Sequence, residues 1–418
     1  MQILEKMNIN ETEYNCLLAE LFEKHPSIQN AGFRPGAYKP GLDGMKAFST
    51  ALGDPWKDYP CVHVAGTNGK GSVSSMLAAG LASSGLRVGL YTSPHLNDFR
   101  ERMKIISRDG WEMPGKQWVY DFLKGSNTDG LSFFEITTGM AFRWFSESKV
   151  NFAVIETGLG GRLDSTNIIL PRLSVITSIG LDHCAMLGDT RAKIAAEKAG
   201  IFKPGIPAVV ASRDAETSPV FEEIAARTGA PLHYAEDFRG EFFPIDLKGP
   251  YQAENLRTAL YSLELLGVRA ERAFIARTGE LTGFRGRWEK VLDRPETICD
   301  IGHNPAALEK NFAALDESGR PLHIVYGIMA DKDLDAILPL LPRRAKYYLA
   351  APKIDRALPV ERLAEHFASF DHLSFGSVDE AVHAALSEAQ KDENALVYIG
   401  GSNYLVSECI LSLDKQVS

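Results

Sequence analysis

A lysine set among glycines is the first feature with chemical meaning. His63-Val64-Ala65-Gly66-Thr67-Asn68-Gly69-Lys70-Gly71-Ser72-Val73 is an apolar run entering a glycine-rich loop that opens a helical pattern. Glycines let backbone N–H groups turn inward around phosphate oxygens, the helix start adds a favourable dipole, and Lys70 supplies a point charge for the outer phosphates. Gly66, Thr67, Asn68, Gly69, Lys70, Gly71 and Ser72 therefore read as a nucleotide phosphate site rather than an ordinary Gly/Ser turn. Gly71 separates Lys70 from Ser72, whereas GxxxxGK[ST] has them adjacent, so Ser72 is expected to stay with the phosphates and not reach magnesium.

Glu156 closes the apolar run Phe152-Ala153-Val154-Ile155. A carboxylate at the carboxyl end of a parallel strand lies where ligand crevices form, and it suits Mg²⁺ held against β and γ phosphates. A surface ion pair is the plainer alternative. Asp182-His183 follows another apolar run and could face the same crevice; imidazole is an uncommon magnesium ligand, so residue chemistry alone favours a hydrogen-bonded structural histidine. Lys198, alone, reads as a solvated lysine at a helix end, and Asn255 as a surface or capping residue. In Asp300-Ile301-Gly302-His303-Asn304-Pro305, Asn304 suits a helix cap and Pro305 the first helical position. That reading leaves His303 without a structural reason, and places it near a reacting carboxylate or an incoming amino acid.

The elements that would position these groups follow an alternating pattern. From Pro60 onward, short apolar runs, glycine-rich turns and helix-period segments succeed one another, the signature of βα units around a mostly parallel sheet. Strands are expected at 61–65, 152–155, 173–177 and 208–210, with helices at 11–23, 72–83 and 136–146. A helical region over 254–278 leads to the Gly/Arg stretch Gly283-Phe284-Arg285-Gly286-Arg287. A second βα series follows, with strands at 297–299, 322–326, 346–350 and 395–399. The fold class is thus α/β: a P-loop domain with a mostly parallel central sheet, residues 1–286, and a smaller Rossmann-like domain, residues 287–418.

Bulk properties agree. The 418 residues exceed what one core usually supports, roughly 250–300 residues, leaving material for a cleft between two domains. A net charge of −9 argues against non-specific nucleic-acid or anionic-membrane binding. Five cysteines without a close CxxC pair point away from a zinc site or disulfide framework and toward a reducing compartment. With no run of about 20 apolar residues and no leader-like N-terminus, a cytoplasmic location is expected.

Several segments together resemble the folate branch of the Mur ligase superfamily, the folylpolyglutamate and dihydrofolate synthases. They are Gly66-Thr67-Asn68-Gly69-Lys70-Gly71-Ser72, Tyr91-Thr92-Ser93-Pro94-His95-Leu96 and the segment from Glu156-Thr157-Gly158-Leu159-Gly160-Gly161-Arg162-Leu163 to Asn167. Leu181-Asp182-His183, Glu197-Lys198-Ala199-Gly200-Ile201, Gly302-His303-Asn304-Pro305 and Gly400-Gly401-Ser402 extend the match along nearly the whole chain. Ile301, where the family usually has Gly, is a small departure.

The resemblance implies an ATP-dependent ligase with two Mg²⁺ ions. Ser93 and Glu156 would hold one metal and His183 the second, reversing the structural reading of that histidine. Lys198 would be carbamylated, and Lys70, His183, Lys198 and His303 would be the catalytic set. Asn255, Arg287 and Asp300 would contact ATP. Phe134, with Ser132, Glu135 and Leu163, would meet the pterin, a flat heterocycle suited to an aromatic face and a carboxylate; Arg162 and the segment 38–42 are weaker candidates.

The expected substrates are ATP, L-glutamate and dihydropteroate or a reduced folate, and the simplest expected state is a monomer. A cell-wall precursor ligase would share the phosphate loop but lack the Ser-Pro-His and Phe-Phe-Glu segments. A P-loop kinase or regulatory NTPase would need no second nucleotide-closing domain.

Overall fold

The computed structural model describes residues 9–26 and 41–417, with side chains to residue 414; of the segment 38–42, residues 38–40 lie outside the described residues. The first sheet has eight strands: β1 Cys61–Ala65, β2 Val88–Tyr91, β3 Met103–Ser107, β4 Gly110–Glu112, β5 Phe152–Glu156, β6 Leu173–Ile176, β7 Ala208–Val210 and β8 Leu232–Tyr234. Their order is β4-β3-β2-β5-β1-β6-β7-β8. All pairings are parallel except β2 with β3 and β3 with β4. Every residue of β1 is buried, as expected for a central parallel strand covered on both faces.

The helix Lys70–Ser83 follows β1 and is buried on nearly all its faces, between the sheet and the helix Gln252–Leu265. This burial accounts for its unusual run of small residues: a Cβ at Gly80 would sit 2.5 Å from Leu263. The helical region expected over 254–278 comprises two helices, Gln252–Leu265 and Arg272–Ile275, and reaches the start of a third, Thr278–Thr282. Gly267, at φ 72, ends the first piece, and Val268 N–H donates back to the Leu263 carbonyl.

The second sheet has six strands: β9 Glu289–Asp293, β10 Glu296–Asp300, β11 Leu322–Tyr326, β12 Lys346–Leu349, β13 Asp371–Ser374 and β14 Leu396–Gly400. The order is β13-β12-β11-β14-β10-β9, with only β9 antiparallel to its neighbour. The eight expected strands all correspond to observed ones. Six were not legible: β2, β3, β4, β8, β9 and β13. The sheets are separate, with the stretch 283–288 running between them.

Candidate active site

Four neighbouring strand tips converge in the first sheet. Val64 of β1 pairs with Glu156 of β5, Ala65 with Ile176 of β6, and Tyr91 of β2 with Ile155. Gly66, Ser93, Glu156 and Thr177 are thereby brought to one carboxyl-terminal crevice. A Cβ at Gly66 would lie 1.8 Å from Thr177 Oγ1, and one at Gly69 would lie 2.4 Å from Asn255 Oδ1. Gly69 also has φ 85, so it meets both a conformational and a steric requirement. Thr67 N–H donates to the Ser178 carbonyl at 2.7 Å, and Asn68 N–H to Ser178 Oγ at 3.1 Å.

Ser72 is buried beneath this loop and accepts from Gln252 Nε2 at 3.2 Å; Asn255 Nδ2 donates to Gln252 Oε1 at 3.0 Å. Asn255 and Ser72 thus belong to an amide network supporting the loop from below. Lys70 Nζ donates to the Gly66 and Thr67 carbonyls at 3.1 and 3.3 Å and lies 4.0 Å from Glu156 Oε1.

Glu156 is only 2 % exposed and accepts a 3.3 Å bond from the Ser93 N–H. Burial pushes its carboxyl up to about 7, against the pull of Lys70. Such a carboxylate is short of positive charge, which fits a divalent cation with Ser93 beside it. Among the described residues no three His, Cys, Asp or Glu cluster as a metal-binding group. Lys198, 4 % exposed, donates to the Gly66 carbonyl at 2.8 Å, and burial together with Lys70 brings its ammonium down to about 7. Lys198 is therefore not the solvated lysine its helix-end position suggests.

The second domain supplies the opposite wall. Asn304, capping the helix Pro305–Glu317, exchanges two 3.0 Å amide hydrogen bonds with Asn68. Its Nδ2 also donates to Asp182 at 3.0 Å, and Lys332 Nζ reaches the same carboxylate at 3.1 Å. His183 and His303 Nε2 stand 3.9 and 3.8 Å from Asp182 Oδ2. Burial would raise the Asp182 pKa, yet His183, Lys332 and His303 hold it well below the carboxylate range. Burial lowers both histidines to about 4, so both are neutral near pH 7. His303 Nδ1 lies 3.0 Å from the Ile301 carbonyl, which only accepts. Nδ1 therefore carries the proton and Nε2 a lone pair.

These groups line a cavity of about 260 Å³ that also includes Ser93, Ser132, Phe134 and Leu163. Phe134 packs its ring on Gly158, whose Cβ would fall 2.5 Å from it. Phe133 also borders the cavity but is otherwise core, 2 % exposed and stacked on Phe22 at 5.3 Å. Glu135 does not line the cavity: its Oε2 accepts from Ser132 N and Oγ at 2.7 and 2.9 Å while Ser132 Oγ accepts from Glu135 N. This capping box commits the carboxylate expected to meet a heterocycle edge to starting the helix Phe133–Glu147.

Arg287 is held over the Phe284 ring at 5.1 Å and lines an adjoining cavity with Gly71, Ser93 and Glu156. Asp300 is saturated by protein donors: Tyr251 OH at 2.5 Å, Trp288 N at 2.8 Å, and Gly302 N and Asn311 Nδ2 at 2.7 Å each. In this state it organises the β10 tip.

The geometry agrees with what similarity finds. A Mur ligase middle domain matches residues 64–238 and a Mur ligase glutamate ligase domain matches residues 286–403. The chain is 33% identical over 409 residues to dihydrofolate synthase/folylpolyglutamate synthase of Bacillus subtilis, covering 88% of this chain and 94% of that protein. This chain belongs to the folylpolyglutamate synthase/dihydrofolate synthase family. A probable bifunctional folylpolyglutamate synthase/dihydropteroate synthase of Haloferax volcanii is 32% identical over 407 residues, covering 88% of this chain, which spans only 48% of that longer protein. Escherichia coli FolC in complex with DHPP and ADP superposes with a TM-score of 0.84 at 29% identity, covering 97% and 98% of the two chains. A bifunctional folylpolyglutamate synthase/dihydrofolate synthase with Mn, AMPPNP and L-glutamate bound gives 0.82 at 30%, covering 96% and 98%.

Within this synthase-family chain, the candidates that sequence reasoning missed lie on the second-domain wall. Lys332 and Arg356 both line the 260 Å³ cavity and are tied by ion pairs to Asp182 at 3.1 Å and Asp331 at 2.8 Å. Their signal was slight, one cation after each of two strand tips, β11 and β12.

Proposed function

We propose that the protein joins L-glutamate to the carboxylate of a pteroate or folate acceptor, using ATP and releasing ADP and phosphate. The observation that carries this reading is the facing of two walls across one cleft. The phosphate loop with buried Lys198 lies on one side, with Glu156 lining the adjoining cavity, and neutral His303 with Lys332 and Arg356 lie on the other. The bound ADP, AMPPNP, Mn, L-glutamate and DHPP of the related structures support it.

A carboxylate is a poor electrophile because loss of oxide is prohibitive. Its oxygen takes the γ-phosphoryl group as the bond to ADP breaks; the amine then bonds to the acyl carbon and phosphate leaves. The loop N–H groups and Lys70 hold the phosphates and offset charge as it develops. Ser93 and Glu156, with His183, would hold divalent metal, which when bound neutralises phosphate charge. Lys198 would be carbamylated: its reduced basicity keeps a share of neutral amine near pH 7, as reaction with CO₂ requires. His303 Nε2 takes a proton from the incoming ammonium, and Lys332 and Arg356 meet carboxylates of the amino acid. Phe134 and Leu163 face the flat ring of the acceptor.

The test is phosphate release from ATP with glutamate and either dihydropteroate or tetrahydrofolate. Release that requires an acceptor and yields its glutamyl amide supports the reading; equal hydrolysis without acceptor sinks it. Comparing the two acceptors separates dihydrofolate synthase from folylpolyglutamate synthase activity.

A further inference from the structure

Lys104 is a buried lysine to which the chemistry above gives no task. It lies on β3, opposite Leu90 of β2, and is 6 % exposed. Its ammonium donates to two carbonyls far along the chain, Thr282 at 2.9 Å and Gly283 at 2.8 Å. These are the last residue and the cap of the helix Thr278–Thr282, where the chain leaves the first domain. A helix carboxyl end presents unpaired carbonyls and partial negative charge, so a cation there is favourable.

The joint is closed from the other side by Trp111 of β4. Lys104 Nζ lies 4.7 Å from the Trp111 ring, and a Cβ at Gly283 would fall 2.5 Å from that indole. Gly283 is at φ 57, so a side chain there would be strained and would have to displace the ring.

What leaves this fixed turn reaches the phosphate loop. Phe284, the next residue, lays its ring on Gly71, where a Cβ would be 2.9 Å from Phe284 Cζ. Arg287 lies 5.1 Å from the centre of that ring and shares the adjoining cavity with Gly71, Glu156 and Lys104 itself. We propose that Lys104 is a positioning residue that pins the connector between the domains, and so holds Phe284 and Arg287 in register with the phosphate loop. The proposal rests on the nucleotide-binding part of the proposed function. Its consequence is specific: loosening Lys104 should weaken nucleotide binding through the connector, without touching the acceptor pocket.

The experiment titrates ADP with magnesium by calorimetry into the full chain, its Lys104→Met and Lys104→Arg forms, and Phe284→Leu. KM for the folate acceptor is measured alongside. Expected are an ADP Kd raised about tenfold in Lys104→Met and Phe284→Leu, at least half of that loss restored in Lys104→Arg, and an acceptor KM within twofold of the parent. A role confined to stability would lower the melting temperature and leave ADP affinity alone. Should Lys104→Met fail to fold, Lys104→Gln, which keeps a donor but shortens the reach to the two carbonyls, carries the Lys104 test, while Phe284→Leu reads the arm on Gly71 alone. Parent-like ADP affinity in the folded variants overturns the proposal. No ADP binding by the parent protein would instead overturn the function assigned to the loop.

Discussion

Glu156 carries a conflict between stability and chemistry that can be measured. Its carboxyl is raised to about 7 by burial, from an ordinary value near 4.5. A raised acid contributes its stability below the unfolded value and loses it as pH climbs through the folded value. In metal-free protein, ionised Glu156 therefore costs roughly 3 kcal/mol above pH 7 and nothing near pH 4. Glu156→Gln should raise the melting temperature of metal-free protein at pH 8, leave it unchanged at pH 4, and reduce ligation at least a hundredfold. Thermal melts at the two pH values with a turnover assay check all three. Lys70→Ala should lower kcat/KM for ATP by about two to three orders of magnitude, the usual worth of a charge aimed at a developing anion; near-normal turnover at saturating ATP would remove Lys70 from the phosphates.

The loop glycines and helix caps belong to the scale of elements. Gly69→Ala puts a methyl group 2.4 Å from Asn255 Oδ1 at φ 85. It should abolish measurable ADP binding in calorimetry while circular dichroism stays near that of the parent. Ser132→Ala removes one half of a capping box and should cost about 1 kcal/mol in denaturant unfolding. At this scale much was legible. The strands carrying Gly66 and Glu156 announce themselves as apolar runs ending in chemistry, because central parallel strands must be apolar on both faces. The strands that were missed lack that signature for local reasons. β2 contains Gly89, whose missing side chain admits the Phe145 ring. β3 contains Lys104, whose ammonium is hydrogen-bonded by carbonyls 178 and 179 residues away. β13 is a largely exposed edge. Glu135 misled in the opposite direction: a carboxylate beside paired aromatics suggested ligand contact, while its spacing of three from Ser132 encoded a cap.

Across the whole molecule the two domains keep separate main cores and meet largely through polar groups, although Leu96 of the first packs against the apolar core of the second. Asp182 accepts from Asn304 and Lys332 of the second domain, and Asn68 and Asn304 trade amide bonds. Nothing in either local sequence states this pairing, which depends on the relative placement of loops 236 residues apart. Asp182→Asn removes the charge that Lys332 answers while keeping an acceptor. It should lower kcat at least tenfold and leave ADP affinity within twofold, which steady-state kinetics with calorimetry would resolve. Equal loss of both would place Asp182 in nucleotide binding instead.

The second sheet has a further implication for how the protein is made. β14, the last strand in the sequence, lies between β11 and β10 in the middle of that sheet. On the ribosome, β10 and β11 must emerge and wait with unpaired backbone edges until residues 396–400 arrive to zip them together. A chain stalled or truncated before that point would have a finished first domain and a sticky, half-built second one, so nonsense codons late in the reading frame should yield aggregates rather than partly active enzyme.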